Sequence, residues 1–123
     1  MAECELPHQT CLRQSHEFLL DNMSASLDNA VDCVFASGCI TVDEQEQIRY
    51  TEGGPRAKTR TFLEVMYQKD VKAFDVLMMG FKKRSSHIFV GLKRKLDEIT
   101  EKWKEGDTSR IKRQSNYNYL YFD

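Results

Sequence analysis

The 123-residue chain is 41% hydrophobic and 30% charged, with a formal net charge of −1. That length suits one domain with one core, the composition is that of a water-soluble globular chain, and no apolar run nears the roughly 18 residues a membrane span needs. The near-zero charge hides a division, because residues 1–54 hold ten acids against Arg13 and Arg49 whereas the remainder holds 16 bases against nine acids. Opposite faces of opposite sign are therefore expected, the arrangement by which copies of one protein attract. The start "MAECELPHQ" has acids where an export signal needs bases and an apolar stretch. A cytoplasmic location is expected, with Cys4, Cys11, Cys33 and Cys39 as reduced thiols rather than a disulfide framework.

In chain order the periodicity is helical. Residues 9–22 place Leu12, His16 or Phe18, Leu19 and Met23 on one stripe, which predicts a first helix. Ser24 and Ser26 offer caps for a second, in which Leu27, Val31, Val34 and Phe35 repeat with helical spacing until Gly38. "TVDE" reads as a capping box, with Thr41 and Glu44 each serving the other's amide, and opens a short third helix that buries Ile48. "EGGP" supplies a tight turn and a proline suited to the first helical position, so a fourth helix is expected from Pro55 to about Lys69. Phe62, Leu63 and Met66 face inward there, while Arg56, Lys58 and Arg60 stay wet.

Asp70 caps a fifth helix with the stripe Phe74, Leu77, Met78 and Phe81, and Ser86 is read as the cap of a sixth bearing Phe89, Leu92, Leu96, Ile99 and Trp103. The same period turns Val76 and Met79 off the stripe, either onto the first helix or outward as a small patch for a partner. Six helices with short links imply an all-α antiparallel bundle. The expected organisation is an N-terminal extension over 1–7, a bundle over 8–104 and a tail over 105–123.

Catalysis and metal chemistry find little support. Cys4, His8, Cys11 and His16 have the right donor types for zinc but no recognised finger spacing, so no metal is expected. No Gln-Ala-Cys-x-Gly stretch marks a cysteine nucleophile, and "EGGPRAKT" lacks the Walker pattern. Neither an enzyme nor a cofactor is expected.

"CLRQSHEFLLDNM", "SGCITVDEQEQIRYTEGGPRAKTR" and "KDVKAFDVLMMGF" together resemble the caspase recruitment domain, a six-helix member of the death fold, over about residues 8–98. Within the family the first two segments look most like the domain of an apoptosome scaffold, and "KAFD" more like an initiator caspase prodomain and its adaptor. The resemblance implies homotypic binding in apoptotic or inflammatory signalling, an acidic patch on one domain meeting a basic patch on the next. On this chain the acidic positions fall on Asp32 and Glu46, with Asp28, Asp43 and Glu44 beside them. The basic ones fall on Arg56 and Arg60, with His16 where the first helix would carry a base and Arg13 nearby. Gln45 and His16 depart from the family's charge pattern, and ordinary solvated faces are the plainer reading of all these residues.

The expected partners are caspase-recruitment-domain proteins: an initiator caspase prodomain, a scaffold or an adaptor. Self-association is a further expectation, and a lone domain acting as a decoy inhibitor is the alternative. Residues 82–113 carry eleven bases against five acids. That is the footprint of a basic nucleic-acid-binding domain, but the bases interleave with the apolar stripe as on any exposed helix, so neither nucleic acid nor membrane is expected as a partner. "SNYNYLYFD" leaves three readings open: an unfolded tail, a segment packed on the bundle, or a strand added to a partner.

Overall fold

A computed structural model describes residues 5–106, with side chains to residue 102. Helices α1 (Pro7–Gln14), α2 (His16–Asn22), α3 (Leu27–Ala36), α4 (Val42–Arg49), α5 (Pro55–Tyr67), α6 (Val71–Arg84) and α7 (Ser86–Gly106) follow one another, with a 3-10 turn at Ser24–Ser26. The described residues contain no strand, and the architecture is the all-α antiparallel bundle of the death fold, its first helix broken in two.

The break replaces the single first helix that the stripe over 9–22 predicts. Ser15, at φ −97° and ψ 11°, ends α1 by donating its amide to the Cys11 carbonyl and begins α2 by accepting from the Leu19 amide at 2.9 Å. Serine suits such a junction, because its hydroxyl competes for backbone partners that a helix interior would use. The bend has a packing reason, since α1 lies on α7 while α2 lies on α5. Both halves thus bury apolar residues: Cys11 and Leu12 in the first, Leu19 and Leu20 in the second. Helical structure begins at Pro7, and Glu5 is tied to α1 and α5, so residues 5–7 belong with the bundle rather than with an extension.

The other boundaries follow local chemistry. The Glu44 amide donates to Thr41 Oγ1 at 3.1 Å, and the Thr41 amide donates to Glu44 Oε1 at 2.9 Å, which closes the capping box. Asp70 Oδ1 accepts from the Ala73 amide at 3.2 Å and starts α6. Helix α3 ends in a Schellman motif: Cys39 donates to the Val34 carbonyl and Gly38 to that of Phe35, with Gly38 at φ +77°.

Two serine assignments need correction. Ser26 stands before α3, but its hydroxyl lies 3.0 Å from that of Ser85 instead of capping the helix. Ser86 is the first residue of α7, not its cap, and buried Ser85 is the single residue linking α6 to α7. Helix α5 ends at Tyr67, two residues before the expected Lys69.

The core is continuous. Leu12, Leu19, Leu27, Val31, Val34, Ile48, Phe62, Leu63, Met66, Phe74, Leu77, Met78, Phe81, Phe89, Leu92 and Leu96 are all buried, joined by Leu20, Met23, Ile40 and Ile88. Each fully buried Leu, Phe or Met contributes about 1.5–3 kcal/mol over its exposed state, so these stripes, not the surface charges, hold the bundle together. Helix α6 is central, packing on α3 and on α7. The side chain of Trp103 and the whole of 107–123 lie outside the described residues.

Candidate interaction surfaces

Helices α3 and α4 form the acidic side. Asp28 and Asp32 are exposed on α3, Asp43 and Glu46 on α4. At about 100° per residue, Val42, Asp43, Glu46 and Tyr50 fall within about 100° of arc, opposite buried Ile48. That ridge brings Val42, 55% exposed, and Tyr50, 71% exposed, among the acids. Neither was singled out from sequence, although turning α4 about Ile48 would have found both. Between the helices lies a concavity of about 310 Å³ lined by Asp28, Asp32, Gln45, Arg49 and Lys58.

Glu44 belongs to the fold rather than to this surface. Half-buried, it accepts from Lys69 Nζ at 2.8 Å while serving the capping box. The Lys69 hydrogen bond holds its carboxyl below the usual carboxylate range. Lys58, expected to stay wet, is also structural, since its Nζ donates to the carbonyls of Arg49 and Thr51 and so caps the end of α4.

Helices α1, α2 and α5 carry the basic positions, and here most charges are already paired. Arg13 forks onto Glu5, with Nε to Oε2 and Nη2 to Oε1 both at 2.9 Å. The Tyr67 hydroxyl and Thr10 Oγ1 also donate to the Glu5 carboxylate, which is held down to about 2, chiefly by Arg13. Arg56 donates to Asp21 at 2.8 Å and to Glu17 at 3.2 Å on α2. Arg60 shares a face of α5 with Arg56, is exposed, and pairs with no carboxylate among the described residues. His16 is half-buried in a concavity of about 270 Å³ between α1 and α5, beside Leu12, Arg13, Leu63 and Tyr67.

Two members of the Cys/His set are packed inside. The buried His8 donates from Nε2 to the Lys69 carbonyl at 3.1 Å and tilts against Phe74, and burial lowers its pKa. The Cys11 thiol donates to the Leu92 carbonyl, and burial pushes it up to about 12. Among the described residues no group of three His, Cys, Asp or Glu side chains converges as a metal site; Cys4 lies outside them. On α7 Lys93 pairs with Asp97 at 3.5 Å and Lys95 with Glu98 at 3.4 Å, while Lys82 of α6 sits over the Phe89 ring. No helix among the described residues is long and apolar enough to cross a membrane.

Val76 and Met79 face α3, not the first helix. With Cys33 and Gly80 they line an open groove of about 800 Å³, which Asp32 borders on one side and Lys83 and Arg84 at one end.

A family model for the caspase recruitment domain matches residues 9–94, a stretch reaching from α1 into α7 and including both charged surfaces. Comparison with curated proteins and with solved structures finds no significant match. With seven-tenths of the chain matched and the death-fold bundle in place, this is an interaction module rather than a catalytic domain: the chain belongs to the caspase recruitment domain family.

Proposed function

We propose that the chain docks homotypically onto other caspase recruitment domains and thereby regulates the assembly of caspase-activating complexes. The observation that carries this reading is the exposed acidic surface on a bundle of this family: Asp28, Asp32, Asp43 and Glu46 are exposed, and among the described residues none of them is in an ion pair, although Arg49 and Lys58 lie beside Asp28 and Asp32. Exposed ion pairs contribute only about 0–1 kcal/mol each. Several must act together, and the energetic anchors are the apolar side chains between them, Val42 and Tyr50. The basic counterpart on a neighbour is Arg60, with Arg56 and Arg13 in support.

A second reading has its own support. Because Glu17, Asp21 and Glu5 occupy Arg56 and Arg13, the chain offers a full acidic face and a weakened basic one. A module sticky on one side terminates a head-to-tail assembly, since each contact in such a series uses two different faces. That favours capping and inhibition over propagation. The rival of another class, a nucleic-acid binder using the basic bases of α6 and α7, predicts affinity for DNA that falls steeply with salt.

Light scattering against concentration tests these together, on wild type, Asp32→Arg and Arg60→Glu, alone and mixed with a partner caspase recruitment domain. Docking through the acidic face requires Asp32→Arg to lose partner binding. Capping further requires Arg60→Glu to keep it, whereas propagation requires rescue when the two variants are mixed. If neither reversal changes binding, the proposed surfaces are wrong.

A further inference from the structure

The groove between α3 and α6 lies outside the docking surfaces just described, apart from Asp32 on its α3 wall. Along α6 its lining changes in order. Asp75 comes first, Val76 and Met79 form an apolar middle, and Lys83 and Arg84 follow one turn beyond Met79. Gly80 keeps the middle deep, since a Cβ there would stand 3.2 Å from Cys33 Sγ. Lys83 and Arg84 are exposed, and neither pairs with a carboxylate among the described residues.

A second surface of this chain carries the complementary series in reverse. At about 100° per residue, Arg49 falls on the α4 ridge beside Val42 and Glu46. From its C-terminal end the ridge therefore reads Tyr50 and Arg49, then Glu46, then Asp43. Arg49 and both acids are exposed and in no ion pair among the described residues. The exposed large hydrophobic side chains follow the same division: Val42 and Tyr50 stand on the ridge, Met79 in the groove, and Val90 on α7, away from both. Lengths agree as well, since the eight residues of α4 span about 12 Å and the groove from Asp75 to Arg84 about 14 Å. Tyr50 to Glu46 and Met79 to Lys83 are each four residues, one helical turn. Laid antiparallel to α6, the α4 of a neighbour thus sets Tyr50 on Val76 and Met79, Arg49 between Asp75 and Asp32, and Glu46 and Asp43 beside Lys83 and Arg84.

We propose that the α3–α6 groove receives the α4 ridge of a second copy of this chain, a self-contact distinct from docking through Arg60. It is heterologous, ridge on one copy and groove on the next. It stands on the order of charges and on the exposed apolar side chains, and does not require the docking reading above. A contact one short helix wide belongs to the small, weak class of interface, so it forms at high local concentration.

The test uses the full chain with 13C-labelled methionine methyls at concentrations rising to about 1 mM, where an affinity of that order fills a readable share of the groove. The Met79 methyl resonance is expected to move with concentration while that of Met78, fully buried, stays. Lys83→Glu/Arg84→Glu should weaken the association at least about tenfold by setting like charges together. Unlabelled Asp43→Lys/Glu46→Lys should restore the shift when added to the labelled Lys83→Glu/Arg84→Glu chain. Arg60→Glu should leave the self-contact unchanged, and Lys83→Glu/Arg84→Glu should still bind a partner caspase recruitment domain through its acidic face, so the groove and the docking reading fail separately. A Met79 methyl that stays put over the whole range overturns the proposal. So does a shift indifferent to reversal of Lys83 and Arg84, a reversal that mixing does not rescue, or a shift lost with Arg60→Glu.

Discussion

The α3–α4 side and the α1–α2–α5 side carry comparable numbers of charges and use them in opposite ways. On the first, Asp28, Asp32, Asp43 and Glu46 project into solvent, with only Glu44 drawn inward by Lys69. On the second, Arg13 and Arg56 are held by acids of the same chain and Arg60 alone stands clear. A count of charges per helix treats the two sides as equivalent complements. Pairing separates them, because a guanidinium already bidentate to a carboxylate must exchange one partner for another and gains little net energy.

The largest effect that would break this contrast is loss of the acidic face. Asp32→Arg combined with Glu46→Arg should weaken binding to a partner domain more than tenfold by isothermal titration, since like charges brought together across an interface cost several kcal/mol. Next, Glu17→Gln with Asp21→Asn should release Arg56 and make the two sides alike. Self-association measured by sedimentation should then strengthen about three- to tenfold at low salt and fade as the screening length shrinks below about 10 Å. If that variant stays as monomeric as wild type, the internal pairs do not limit the basic side.

Smaller effects concern stability. Glu5→Gln should lower stability by about 1 kcal/mol, a shift of roughly 4–8 °C in melting temperature, through loss of charge-assisted bonds from Arg13 and Tyr67. The pH dependence carries the sign of a depressed acid: the Glu5 contribution is present above the unfolded value near 4.5 and is lost as pH falls toward about 2. Acid denaturation followed by circular dichroism should therefore be shallower in that window for Glu5→Gln than for wild type. Last, Thr41→Ala should cost about 0.5–1 kcal/mol by removing one half of the capping box, with partner binding little changed if α4 keeps its place.

What was legible in the sequence is what local chemistry decides. Thr41 with Glu44, Asp70, the Gly53–Gly54–Pro55 turn and Gly38 each mark a helix boundary by interactions within a few residues, and the apolar stripes then say which side of each helix is inside. What was hidden is what two distant helices decide between them. Arg56 meets Asp21 and Glu17 across 35 and 39 residues of chain, Lys69 meets Glu44 across 25, and Arg13 closes on Glu5 from a segment that seemed to precede the bundle. Periodicity assigns a face to a residue, but it does not say which neighbour that face meets. The bend at Ser15 was hidden for the same reason: both halves of the stripe are apolar, and only the positions of α5 and α7 make a straight helix unable to serve them both.

Lys58 links the two sides mechanically. Its ammonium is anchored to the carbonyls of Arg49 and Thr51, so the last turn of α4 and the first of α5 are clamped at one angle. In the head-to-tail docking proposed above, the acidic ridge of α4 would meet the α5 surface of the next subunit. The angle between those two helices within a subunit therefore fixes the rotation and rise from one subunit to the next. A clamp that lets α4 swing by a few degrees would spread that error through every added copy. In that docking Lys58, through the α4–α5 angle, would act on the geometry of the assembly without itself being one of the charges that pair across it.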